Sequence, residues 1–246
     1  MNRRVVLVTG GAKRIGAAIC RELSGAGYAV VIHCNRSKAE AETLALELGQ
    51  RAAIVQGDLA DLTALPALYA AACQPFGAPD ILVNNASLFL DDAHDTVEAA
   101  RFSANLATNL QAPVLLSRAF AEALPKDETG AILNIIDQRV LRPNPQFLSY
   151  SLAKSALFTA TKMLAQAMAP RIRVNAVGPG PTLPNEHDGT AGFLKEAEGT
   201  LLARPVKPEE IARAVRFLAE AESVTGQMLA VDSGQHLGWK TPDIVF

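Results

Sequence analysis

Tyr150 and Lys154 stand in the run Tyr150-Ser151-Leu152-Ala153-Lys154, a spacing that puts a phenol and an ammonium on one face of a helix. A free phenol titrates near pH 10, and an adjacent cation favours the phenolate; a lowering of two or three units is worth roughly 3–4 kcal/mol. Such a pair is expected to exchange a proton near neutral pH, which suits acid–base work on a carbonyl or imine. Asp137 follows the apolar stretch Ala131–Ile136 and precedes Tyr150 by 13 residues. Strand ends on the carboxyl side of an open α/β sheet line the ligand crevice, where a carboxyl group can be raised in pKa and share or donate a proton. The plainer alternatives are chance spacing for the Tyr–Lys pair and a turn or cap acid for Asp137.

A second group of residues suits a phosphate. Thr9-Gly10-Gly11-Ala12-Lys13-Arg14-Ile15-Gly16 follows an apolar run, and glycines in such a turn let the backbone approach a pyrophosphate at a helix N-terminus. The spacing is G-x-x-x-R-x-G, not the general G-x-G-x-x-G. The next apolar run ends in His33-Cys34-Asn35-Arg36-Ser37. An NAD site usually has Asp or Glu there, whereas a 2′-phosphate suits Arg, so Arg36 and Ser37 with no acid favour NADP(H). The alternative is a solvated Arg36 and a Ser37 that only caps a helix.

The elements that must position these groups alternate along the chain. Val5–Val8, Ala29–Ile32, Ala52–Val55, Ile81–Val83, Ala131–Ile136, Ile172–Val177 and Gln227–Val231 read as strands. Helical patterns run from Ile15 to about Gly25, from Ser37 to Gly49, twice between Val97 and Leu124, from Leu148 to Met168, and from Glu209 to Ala219. The pattern predicts an α/β fold: a single-domain, Rossmann-like doubly wound parallel sheet of about seven strands, with helices on both faces, over residues 1–246. The Pro-, Gly- and charge-rich stretch at about 179–208 is expected to be a substrate lid.

Composition removes several classes of function. Apolar residues make up 49% and charged residues 20%, so disorder and a disulfide scaffold are excluded. Lys and Arg total 23 against 25 Asp and Glu, with no long basic run, which argues against nucleic acid. Cys20, Cys34 and Cys73 have no C-x-x-C spacing and read as buried thiols of a reducing compartment. The four histidines are scattered, so no metal site is expected. The first apolar run is too short for a signal peptide or membrane span, and a cytoplasmic protein is expected.

Together these residues resemble the short-chain dehydrogenase/reductase superfamily over essentially the full chain. The likeness rests on the Thr9–Gly16 turn, Asp58-Leu59, Asn84-Asn85-Ala86, Asn109, Tyr150-x-x-x-Lys154 and Val177-Gly178-Pro179-Gly180. It implies cofactor contacts from these segments, Pro179 and Gly180 included, and a catalytic set of Asn109, Tyr150 and Lys154, with Asp137 where the superfamily has Ser. That Asp, Arg14 in the turn, His33-x-Asn35-Arg36-Ser37 and Asn84-Asn85-Ala86-Ser87-Leu88-Phe89 resemble the pteridine reductase branch. There the matches imply that Arg14, Ser87 and Phe89 hold the pterin, Phe89 stacking on it opposite the nicotinamide; core packing is the alternative for Phe89. Asn185-Glu186-His187-Asp188 resembles a lid segment of dihydromonapterin reductases, also called alternative dihydrofolate reductases. For His187 a solvated loop position is the plainer reading.

The resemblance implies an NADPH-dependent reductase of a dihydropterin of the dihydrofolate, dihydromonapterin or dihydrobiopterin type, built as a homotetramer. The alternatives are a carbonyl or 3-oxoacyl reductase, which Asp137 disfavours because those enzymes place a serine there, and a non-catalytic NADP(H) sensor, which would not need Asn109, Tyr150 and Lys154 together.

Overall fold

Every residue of β1 (Val5–Val8) is apolar and buried, as a central strand covered on both faces requires. The computed structural model describes residues 4–184 and 189–239. Its sheet continues with β2 (Ala29–Cys34), β3 (Ala52–Gln56), β4 (Ile81–Asn84), β5 (Gly130–Ile135), β6 (Ile172–Pro179) and β7 (Met228–Val231). The strand order is β3-β2-β1-β4-β5-β6-β7, and all neighbours are parallel. The order reverses between β1 and β4, which opens a crevice at their carboxyl ends.

The helices are α1 (Arg14–Gly25), α2 (Lys38–Leu48), α3 (Leu65–Cys73), α4 (Ala99–Leu106), α5 (Ala112–Ala123), α6 (Leu148–Met168), α7 (Gly189–Glu198) and α8 (Pro208–Glu220). Alternate strand residues feed opposite layers. Val6 and Val8 pack with Ile19 and Leu23 of α1 and with Ile211 and Val215 of α8. Val5 and Leu7 pack on the other face with Leu68 of α3, Leu116 and Phe120 of α5, and Ala165 of α6.

The structure departs from the expected elements at four places. Helix α3 was not expected, because its Ala-rich Leu65-Pro66-Ala67-Leu68-Tyr69-Ala70-Ala71-Ala72-Cys73 run lacks a polar face. The two helices between Val97 and Leu124 are one continuous rod, with a π-helical turn over Ala107–Gln111 joining α4 to α5. The stretch at 179–208 contains α7, and its Asn185-Glu186-His187-Asp188 segment lies outside the described residues. Ser37 occupies the N-cap position of α2, but its side chain makes no cap bond. Of the thiols, Cys20 and Cys34 are buried and Cys73 is half-buried.

Candidate active site

The turn after β1 is built on close approaches that only glycine allows. Gly10 adopts φ +60°, and a Cβ there would lie 2.9 Å from Ala86 Cα. A Cβ on Gly16 would lie 2.2 Å from the Gly10 carbonyl oxygen. Asn85 ties the turn to β4, its Nδ2 donating to the Thr9 and Gly10 carbonyls at 2.9 and 3.0 Å. Thr9 Oγ1 accepts the N–H groups of Asn85 and Ala86 at 2.9 and 3.0 Å.

His33 faces inward beneath this turn. Its Nδ1 accepts the Gly10 N–H at 3.1 Å, so Nε2 carries the proton and donates to the Gly57 carbonyl at 3.1 Å. Burial lowers its pKa to about 4, keeping the ring neutral. With both ring nitrogens engaged by backbone groups, His33 shapes the turn from below. Asn35 and Arg36 are exposed at the end of β2, with Ser37 half-buried beside them. Asp58 is exposed and accepts the Ala60 N–H at 2.9 Å, while Leu59 is buried. Lys13 pairs with Glu40 at 3.2 Å.

The parallel register brings the other groups to the same edge. Asn84 pairs with Asn134, Ile135 with Val177, and Pro179 with Val231, so Asn85, Asp137 and Gly180 line one crevice. A Cβ on Gly180 would lie 2.6 Å from Asp232 Cα, which lets this segment lie flat against the end of β7. A cavity of about 210 Å³ opens here, lined by Arg14, Ile15, Asn85, Ser87, Phe89, Asp137, Tyr150, Lys154, Pro179 and Gly180 among others.

Tyr150 Oη donates to Asp137 Oδ2 at 2.9 Å. Burial raises the Asp137 pKa, although the Arg139 N–H (2.8 Å to Oδ1), the Arg139 charge, Tyr150 and Lys154 oppose it. Burial and the adjacent Asp137 carboxylate hold the Tyr150 phenol well above its ordinary pKa. This reverses the expected lowering by Lys154. The Lys154 ammonium donates to the Ile135 carbonyl at 2.8 Å and lies 5.7 Å from the centre of the Tyr150 ring. Its own pKa falls to about 8 through burial. Tyr150 therefore keeps its proton at neutral pH and can act as a donor.

Phe89 is half-buried on the cavity wall rather than in the sheet–helix core. Its ring stacks on Phe147 at 4.1 Å and meets Tyr150 edge-on at 4.7 Å. Phe147 is buried at φ +52°, a left-handed conformation costly for an aromatic residue, with the Arg139 guanidinium 5.1 Å from its ring centre. Arg14 also has positive φ, +55°, and donates to the Leu183 and Pro184 carbonyls at 3.3 and 3.0 Å.

Asn109 sits in the π-helical turn, fully buried and behind the cavity rather than in it. Its Oδ1 accepts from Ser87 Oγ (2.8 Å) and Leu88 N (3.2 Å), and its Nδ2 donates to the Leu88 carbonyl (2.8 Å). Asn109, expected in the catalytic set, clamps the segment that carries Ser87. The cavity also recruits residues that the sequence reading missed: Gln138, Arg139, Glu196 and Gln235. Arg139, two residues after Asp137, carried a local signal. Glu196 and Gln235 carried none; α7 and the end of β7 bring them together, with Gln235 Nε2 donating to Glu196 Oε1 at 2.7 Å.

A parallel sheet reversing at β1/β4, a glycine turn at the head of α1 and a Tyr–Lys helix flanking the crevice define a class of nucleotide-dependent oxidoreductase. Residues 10–236 match the family model described as enoyl-(acyl carrier protein) reductase, and the chain belongs to this short-chain dehydrogenase/reductase family. Among solved structures, FolM alternative dihydrofolate reductase 1 from Brucella canis, complexed with NADP, is similar at a TM-score of 0.95 and 46% identity, covering 98% of this chain and 97% of that one. The protein of the same name from Brucella suis, also in complex with NADP, gives 0.95 and 47%, with 98% of both chains covered. A sequence relative, the 3-oxoacyl-[acyl-carrier-protein] reductase of Synechocystis sp., is 32% identical over 243 residues, 95% of this chain and 97% of its own.

Proposed function

We propose that the protein is an NADPH-dependent reductase of a dihydropterin, taking it to the tetrahydro form. The observation that carries this reading is the Tyr150–Asp137 hydrogen bond, 2.9 Å long, beside the aromatic wall of Phe89. The two Brucella neighbours support it.

The residues present fit the cofactor. No acid occupies the first turn of α1 and no side chain caps it, which leaves N–H groups and dipole for an anion. Gly10, Lys13, Arg14, Ile15, Asn85, Ala86, Pro179 and Gly180 would hold the pyrophosphate and nicotinamide end, and Asp58 and Leu59 the adenine end. Asn35, Arg36 and Ser37 would meet the 2′-phosphate, where a carboxylate would repel it. Bound NADPH supplies hydride.

Reducing a C=N bond adds hydride to carbon and a proton to nitrogen. Tyr150 delivers that proton from its phenol, and protonated Asp137 replaces it across their shared contact. Lys154 keeps positive charge beside the phenol as it loses its proton. Phe89 and Ser87 hold the flat ring, and Arg14 adds a cation at its edge. The 179–208 stretch acts as the lid, Arg14 tethering Leu183 and Pro184 to the glycine turn.

A 3-oxoacyl reductase is the second reading, favoured by the Synechocystis relative and the shared Tyr150 and Lys154. NADPH consumption with dihydrobiopterin, dihydrofolate and an acetoacetyl thioester, measured side by side, separates the two: turnover of the thioester alone removes the pterin reading. Leu115, Leu152 and Met163 expose apolar surface on α5 and α6, the helices proposed to form a homotetramer in the cytoplasm, and light scattering tests the assembly.

A further inference from the structure

Behind Tyr150 runs a hydrogen-bonded chain, buried from Asp92 to Asn109, that reaches the cavity only through Ser87. Asp92, 2% exposed, lies between β4 and α4 and meets the first turn of α6. Its Oδ1 accepts the Ser149 N–H at 2.9 Å, its Oδ2 accepts the Ser149 hydroxyl, and its backbone carbonyl accepts the Leu148 N–H at 3.1 Å. Ser149 Oγ accepts from Asn105 Nδ2 at 2.6 Å, and Asn105 Oδ1 accepts from Asn109 Nδ2 at 3.2 Å. Asn109 Oδ1 accepts the Ser87 hydroxyl at 2.8 Å, and Ser87 neighbours the Tyr150 phenol.

Every donor in this chain points the same way, from Ser87 towards Asp92. A carboxylate has acceptor sites only, so its two oxygens take the Ser149 N–H and hydroxyl separately, where an amide offers one oxygen. The Leu88 N–H and carbonyl fix the Asn109 amide in the same sense. The π-helical turn follows Asn105 and contains Asn109, and both amides are fully buried. The chain thus joins the two segments that meet at the proton donor: 87–92, carrying Ser87, and the first turn of α6, carrying Tyr150.

We infer that Asp92 is a positioning residue for proton transfer, anchoring the start of α6 and ending the Ser149–Asn105–Asn109–Ser87 chain so that Tyr150 and Ser87 stay in register with Asp137. Displacements of about 1 Å in a reacting group can cost on the order of 100-fold in rate. The inference rests on Tyr150 being the proton donor, not on which substrate is reduced.

The test compares Asp92→Ala, Asp92→Asn, Ser87→Ala and Tyr150→Phe, with dihydrobiopterin as substrate, or an acetoacetyl thioester if only that is turned over. Asp92→Asn keeps an acceptor for the Ser149 N–H but turns an NH2 towards the hydroxyl, so it carries the test if Asp92→Ala does not fold. Either Asp92 variant should lower kcat at least about tenfold, leave the NADPH Kd within about twofold and displace the pH profile of kcat. In a Ser87→Ala background, Asp92→Asn should add much less than it does alone, because both act through one chain. A lower melting temperature with wild-type kcat per NADPH-binding site, an unchanged pH profile and effects that multiply with Ser87→Ala would overturn the inference. Full activity of Tyr150→Phe would instead remove the proton-donor reading itself.

Discussion

In the proposed reaction, Asp137 is the residue on which the chemistry turns. A serine hydroxyl can bond a carbonyl but has no titratable proton to share; a carboxyl group, its pKa raised by burial, does. Turnover should therefore fall as pH rises through the Asp137 pKa, since the protonated acid is the competent form. Asp137→Ser should abolish pterin reduction and leave NADPH binding intact; weak thioester reduction, without that pH dependence, is the only activity expected to survive. Initial rates on both substrates across a pH series check this, and retained pterin turnover would make Asp137 a structural acid. At the other end of the crevice, Arg36→Ala should weaken NADPH far more than NADH. Titrating both coenzymes by fluorescence decides it, and equal losses would remove Arg36 from the 2′-phosphate.

At the scale of elements, the glycine turn and the aromatic wall are rigid for different reasons. Gly16 has no space for a methyl group: Gly10 O, Asn85 Nδ2 and Gly11 Cα would all lie within 2.9 Å of it. Gly16→Ala should cost roughly 1–3 kcal/mol by overpacking and push the turn off Asn85, so both the denaturation midpoint and the NADPH affinity should drop. Phe89 is held by Phe147, itself held in a left-handed conformation at the start of α6. Phe89→Ala should raise KM for the pterin while sparing the NADPH Kd, because the ring faces the cavity.

For the molecule as a whole, buried His33 and half-buried Asp80, at opposite ends of the sheet, push acid stability in opposite directions. His33 has its pKa lowered from 6.5 to about 4, so its contribution is full above about pH 6.5 and is lost as pH falls towards 4. The magnitude is about 3 kcal/mol. Asp80, pushed up to about 6 by burial, works in the opposite sense: the folded chain takes up its proton first and gains stability as pH falls through that value. Asp80→Asn removes the compensation, so its unfolding free energy should fall more steeply between pH 7 and 4.5 than the wild type's. Urea titrations at several pH values measure this, and parallel curves would refute the opposing roles.

The sequence by itself determined the alternation of strands and helices, because hydrophobic period and glycine punctuation are local signals. It also placed Gly10, Arg36, Asp137, Tyr150 and Lys154 at element ends, where short motifs record backbone demands and chemistry. The tertiary structure alone decided what those groups feel. Lys154 reaches the Ile135 carbonyl and Asp137 takes the Tyr150 hydrogen bond, so the phenol is raised where the i, i+4 spacing suggested lowering. His33 and Asn109 turn away from the cavity because buried ring nitrogens and amides must find partners, and the nearest are the Gly10, Gly57 and Leu88 backbone groups. Asp92, Glu196 and Gln235 join the site's surroundings across long sequence separations, a consequence of parallel register and helix packing that no local pattern encodes.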